Sequence, residues 1–157
     1  WEIFMEAGME YNIAPATPSQ INRIENGMLS YGSDMTLNEN PFEINMGKFV
    51  NLDKKADFLS KEALNQIYKQ GVKKELVGIE IISDPFKDFV ADHLILQFND
   101  KKVGKITSSV YSPRLKKNIG LALINKRNEE IIEGYTVYMN GITAKVKICN
   151  LPFLKNK

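Results

Sequence analysis

Few residues in this chain of 157 have types and settings that could do chemistry, and Arg23 has the most to offer. A guanidinium presents paired N–H donors in a fixed plane, which suits a carboxylate or a planar, carbonyl-rich ligand. Arg23 stands between apolar Ile21 and Ile24, beside Glu25, and just before an irregular stretch from Leu29 to Val50. Such a stretch, with turn residues and no periodic stripe, is a common form of binding loop. The competing reading is an exposed Arg23–Glu25 pair worth a fraction of a kcal/mol. On residue chemistry alone both remain open.

The other reactive types are sparse. His93, the single histidine, follows Asp92 at the start of a strand-like run with no nucleophile elbow nearby, and reads as structural. Gly8, Gly27 and Gly32 are isolated, so no phosphate-cradling loop is formed. Cys149 is the single cysteine, which excludes an internal disulfide, and in the alternating run Thr143 to Cys149 it is expected to behave as a small buried hydrophobe. One cysteine and one histidine give no expectation of a metal site.

Positioning these residues requires a fold, and composition allows one. The chain is 43% hydrophobic and 25% charged, enough apolar matter for a core. No apolar run approaches the roughly 18 to 20 residues that cross a bilayer as a helix, so no membrane partner is expected. Charge is uneven: residues 1–77 carry 8 Lys/Arg against 11 Asp/Glu, and residues 78–157 carry 13 against 8. The basic second half would suit an anionic ligand, although lysines along strands also guard sheet edges.

Trp1 to Gly8 reads as an amphipathic helix already in progress, which suggests a fragment of a longer polypeptide; a processed terminus is the alternative. Thr17-Pro18-Ser19-Gln20 predicts a helix capped by Thr17, with Ile21, Ile24 and Met28 on one face and Gly27 near its end. Phe49, Val50 and Leu52 suggest a short strand. A further helix is expected from Ser60, with a Leu59–Leu64 staple, Leu64, Ile67 and Tyr68 inward, and Gly71 as its stop. Thereafter the period becomes two. Strands are expected at 75–82, 93–99, 102–111, 118–124, 135–139 and 143–149, with Asn140-Gly141 as a two-residue hairpin turn. Six strands with no intervening helix predict a closed or nearly closed barrel, because closure removes exposed edges.

Four ordered segments carry a resemblance to a known family. They are Arg23-Ile24-Glu25-Asn26-Gly27 through Tyr31-Gly32-Ser33-Asp34, then Asn40-Pro41-Phe42-Glu43, then Asp57-Phe58-Leu59-Ser60-Lys61-Glu62-Ala63-Leu64, and finally Gly104-Lys105-Ile106-Thr107-Ser108 through Tyr111-Ser112-Pro113-Arg114-Leu115 to Gly120-Leu121-Ala122. Together they resemble the glycine cleavage T-protein (aminomethyltransferase) family. Ser60 stands where that family more often has glycine. The resemblance implies an α+β chain in which residues 1–74 are the C-terminal portion of a folate-binding domain and residues 75–157 a small antiparallel six-stranded β-barrel.

It further implies tetrahydrofolate as cofactor, with Arg23 in the position of an arginine that contacts substrate or folate. Lys155, in the tail Leu151-Pro152-Phe153-Leu154-Lys155, matches a basic residue returned toward the same cavity; a solvated terminus is the alternative. The implied partner is the lipoylated carrier protein of glycine cleavage in a cytoplasmic setting, with no metal. Relatives that demethylate dimethylsulfoniopropionate or N-methylated glycines would use a small-molecule one-carbon donor instead, and Asn40-Pro41-Phe42-Glu43 tilts slightly toward them. The family's aspartate that orients folate and its pterin-reading glutamate have no counterpart in this chain, so the chain alone is expected to be inactive. A non-enzymatic RNA-binding barrel is the reading from another class, with Tyr111, Tyr135 and Tyr138 as its candidate stacking residues.

Overall fold

In the computed structural model, residues 1–16, 19–88, 90, 93–126, 133–139 and 141–154 are described. Among the described residues, three α-helices and two short 3-10 turns precede six strands. The helices and strands are α1 (Glu2–Gly8), α2 (Gln20–Glu25), α3 (Lys61–Gln70), β1 (Lys74–Ile82), β2 (Leu94–Phe98), β3 (Lys101–Ser112), β4 (Lys117–Asn125), β5 (Tyr135–Met139) and β6 (Ile142–Cys149). The strands form a closed antiparallel barrel in the order β1-β4-β3-β2-β5-β6. β5 and β6 make the expected hairpin, with Met139 opposite Ile142 and Gly141 at φ +81°; Asn140 lies outside the described residues.

Period-two alternation decides which side chains fill the barrel. Ile79 and Ile81 of β1, Leu96 of β2, Val137 of β5 and Val146 of β6 point inward with Tyr135 and Met139. Burial of Tyr135 inside the core removes it from any outer stacking surface, leaving Tyr138 exposed and Tyr111 half-buried. β4 is covered on both faces. Its Ala122 and Ile124 face the lumen, while Ile119, Leu121 and Leu123 join Ile24 of α2 in a second cluster outside the barrel. That is why Ile119 to Ile124 reads as an apolar run interrupted only by Gly120. A side chain at Gly120 would stand 2.5 Å from the Ser108 carbonyl, and one at Gly104 would stand 2.5 Å from that of Leu123, so both positions need glycine for strand approach.

Several expectations need correction. Ser19, not Thr17, caps α2, with its hydroxyl accepting from the Asn22 N–H at 3.2 Å; Thr17 and Pro18 lie outside the described residues. α2 ends at Glu25, where Gly27 at φ +66° closes it: Gly27 N–H donates to Ile24 O and Met28 N–H to Arg23 O. This left-handed closure turns Met28 off the helical face and into solvent.

No strand forms at 49–52: Gly47–Phe49 is a 3-10 turn, and Val50 has extended dihedrals without pairing into a strand. The barrel is closed, so no free edge is offered for it to join. At α3, Ser60 caps without a side-chain bond, in left-handed conformation at φ +67°. Leu59 is 94% exposed, so the staple to Leu64 is not made, and Tyr68 is exposed beside the Phe42 ring rather than inward. Cys149 is half-buried rather than buried, and its desolvation pushes the thiol above its ordinary range.

Candidate functional site

The junction of α2 with the outer face of β3 and β4 gathers most of the buried polar groups. Arg23 and Glu25 both lie there, but they do not pair. Residues two apart on a helix project to nearly opposite sides, so each reaches a different partner. The Arg23 side chain is 11% exposed, and its guanidinium donates through Nη1 to Asp34 Oδ2 at 2.6 Å, with the Asp34 side chain fully buried. Its Nε donates to Gln20 Oε1 at 2.6 Å, and Nη1 also reaches the Met28 carbonyl at 3.1 Å. The exposed-pair reading therefore fails, and Arg23 stands at the seam between helix and barrel instead of in bulk solvent.

Asp34 is placed by the loop that follows α2. Its N–H donates to Ser30 O at 2.9 Å, and its Oδ2 accepts from Ser30 N–H at 2.9 Å, closing residues 30–34 into a compact turn. Its other oxygen, Oδ1, accepts from Thr107 Oγ1 at 2.6 Å and Ser108 Oγ at 2.7 Å. Successive residues of a regular strand point to opposite faces, so two adjacent hydroxyls on one carboxylate require a break in β3. The break is a bulge: Ile106 pairs with Ala122 and Ser108 with Leu121, leaving Thr107 as the extra residue. The Thr107 carbonyl, released from the ladder, accepts from Ser33 Oγ at 3.2 Å. His93 Nε2 lies 3.0 Å from the Ser33 carbonyl and donates to it, which makes its observed role a tie between loop and barrel.

Glu25 is buried to 1% and faces the β3–β4 turn. Its Oε1 accepts from Ser112 Oγ at 2.5 Å, while Oε2 has Arg114 Nη1 at 3.7 Å and, among the described residues, no hydrogen bond. Its backbone carbonyl accepts from the N–H groups of Phe153 and Leu154, so the C-terminal segment is tied to the same helix end. Lys155, the second candidate contact, lies outside the described residues.

A groove of about 530 Å³ runs beside the end of α2, lined in part by Gly27, Met28, Ile44, Lys48 and Leu151; Arg23 is not among its lining residues. Asn40 acts within its own turn, where its Oδ1 accepts from the N–H groups of Phe42 and Glu43, at 3.0 and 3.2 Å. A threonine hydroxyl can close the same kind of turn, so the residue at 40 speaks for the turn and not for a particular one-carbon donor.

Two of the four segments behind the resemblance thus meet in space, the first supplying Arg23, Glu25 and Asp34 and the last supplying Thr107, Ser108, Ser112 and Arg114. Residues 74–155 match the glycine cleavage T-protein C-terminal barrel domain. The chain belongs to this family. Relatives include proteins named aminomethyltransferase from Caldanaerobacter subterraneus subsp. tengcongensis, 34% identical over 99% of the chain, and from Bacillus subtilis, 32% identical over 99%. The chain spans about two fifths of their length, 41% and 42% respectively. The crystal structure of the glycine cleavage system aminomethyltransferase T from Bartonella henselae superposes with a TM-score of 0.74 over 85% of this chain and 37% of that one. At 18% identity this likeness speaks for the T-protein fold alone.

Sequence reasoning singles out Arg23 but assigns no role to Asp34, Thr107 or Ser108. The signal for them is present. Thr107-Ser108-Ser109 puts three hydroxyls in a row where a barrel strand should alternate, and all three are buried.

Proposed function

We propose that this chain is the C-terminal portion of a tetrahydrofolate-dependent aminomethyltransferase that passes a one-carbon unit to tetrahydrofolate. The observation that carries the reading is sequence kinship with proteins named aminomethyltransferase over nearly the whole chain. The residues in hand fit one edge of such a ligand: Arg23 offers a planar cation held at the seam with part of its surface outward. Tetrahydrofolate, when bound, supplies the nucleophilic nitrogen that captures the one-carbon unit. Arg23 would orient the ligand, and Lys155 would add a second positive charge from the tail. The protein's contribution is then positioning and electrostatic stabilisation, since the reactive atom belongs to the cofactor.

The proposed donor is an aminomethyl group on the lipoyl arm of a glycine cleavage carrier protein. Neither demethylase chemistry nor RNA binding gains a supporting observation, since Asn40 closes a turn and Tyr135 lies in the core. The test is turnover of the full-length protein with tetrahydrofolate and, in separate reactions, the aminomethyl-lipoyl carrier, dimethylsulfoniopropionate and N-methylated glycines. Methylenetetrahydrofolate should form with ammonia release from the carrier alone. Turnover only with another donor would replace the reading. The 157-residue chain by itself should give none of these products.

A further inference from the structure

We propose that Thr107 and Ser108 are positioning residues for one-carbon transfer, acting through Asp34 on the guanidinium of Arg23. The inference rests on the reading of Arg23 as a folate contact, and it deepens that reading by giving the barrel a part in the site.

The geometry that points to it is the bulge. A strand gives up ladder pairing at Thr107 in order to aim two adjacent hydroxyls at the same oxygen, Oδ1 of Asp34, at 2.6 and 2.7 Å. One hydroxyl would satisfy hydrogen bonding for a buried carboxylate oxygen; two fill both of its lone-pair directions and stop the carboxylate from turning about its terminal bond. With Oδ1 fixed, Oδ2 is directed at Ser30 N–H and at Arg23 Nη1. The guanidinium is thereby held at Nη1 by Asp34 and at Nε by Gln20, which sets the orientation of its plane as well as its place.

A planar donor held this way loses little freedom when a ligand arrives, and small misplacements of such a group are costly to rate. Thr107 and Ser108 are buried, and both hydroxyls meet the Asp34 carboxylate that in turn meets the guanidinium. Their influence must pass through the carboxylate. Glu25 with Ser112 provides an internal comparison, because there one hydroxyl meets one oxygen and no bulge is needed.

The test uses the full-length protein with T107V, S108A, the conservative T107S, and each of the first two combined with R23A. Thr107→Val and Ser108→Ala should each lower kcat/KM for tetrahydrofolate by about 10-fold, chiefly through KM, while Thr107→Ser restores it. In the Arg23→Ala background the same substitutions should change kcat/KM by less than about two-fold, since the group they act on is gone. An NMR readout independent of turnover is the Nε–Hε resonance of Arg23, which should shift or broaden in T107V and S108A and remain as in the unsubstituted protein in T107S. Equal losses in the two backgrounds, or an Arg23 resonance that does not move, would overturn the positioning role and leave the two hydroxyls a structural tie. Absence of turnover in the unsubstituted protein would instead overturn the reading of function, and the NMR comparison would still decide whether the hydroxyls position Arg23.

Discussion

A carboxylate with no exposed surface is costly to bury unless donors replace the water it loses. Asp34 has four donors, from Thr107, Ser108, Ser30 and Arg23, all at 2.9 Å or less. Removing it takes the carboxylate partner from a largely buried Arg23 side chain, which keeps Gln20 and Met28, and from the buried Ser108 hydroxyl, while Thr107 Oγ1 keeps the Leu121 carbonyl at 3.2 Å. Asp34→Ala should therefore destabilise the protein by about 3 kcal/mol, read from urea denaturation, while Asp34→Asn should cost less by keeping two acceptor directions. Glu39 offers a test by pH. Burial pushes its carboxyl up, but the Thr36 hydroxyl and N–H, aided by Lys105 and Lys74, outweigh that and hold it below its ordinary 4.5. A depressed carboxyl contributes stability above the unfolded value and loses it as pH falls through the folded one. Thr36→Val should thus lower stability at neutral pH, and the difference from the unsubstituted protein should shrink as pH falls below the ordinary carboxylate range.

Among the elements, legibility follows the strength of the local pattern. Alternation places all six strands, with Tyr135–Met139 matching at both ends and the others differing by a residue or so. The left-handed stop of α2 is visible in Gly27, because glycine is the residue that takes φ +66° without strain. The cap at Ser19 is missed by two positions, since Thr17, Ser19 and Gln20 offer overlapping signals and propensity alone does not choose among them. The bulge at Thr107 is hinted at by the consecutive hydroxyls of Thr107-Ser108-Ser109, but its cause is not legible. It is specified by a partner 73 positions away, the Asp34 carboxylate, and no local rule encodes that. Kinship points to Arg23, but only tertiary structure reveals what holds it. Ser60 shows how a departure from the family pattern acquires a cause: its φ of +67° is the conformation glycine adopts freely and other residues adopt at a cost. Ser60→Gly should stabilise the start of α3, raising overall stability by about 0.5 to 1 kcal/mol in a thermal or urea melt.

At the scale of the molecule, the barrel is closed, so its strands leave no edge for pairing and the outer face of β4 is free to receive α2. The seam thus formed has an apolar part, Ile24 against Leu121 and its neighbours, and a polar part, Asp34 and Glu25 against the hydroxyls of β3. The apolar part supplies most of the adhesion, because burial of such side chains contributes roughly 1.5 to 3 kcal/mol each. The polar part supplies orientation, and it is the orientation of Arg23 that links the barrel to the proposed chemistry. The most direct measurement is a calorimetric titration of tetrahydrofolate into the full-length protein, alongside Arg23→Ala and Lys155→Ala. Saturable binding that weakens by about 10-fold or more in Arg23→Ala, and less in Lys155→Ala, is the predicted result. Equal affinity in the unsubstituted and Arg23→Ala proteins, or no binding at all, would contradict it.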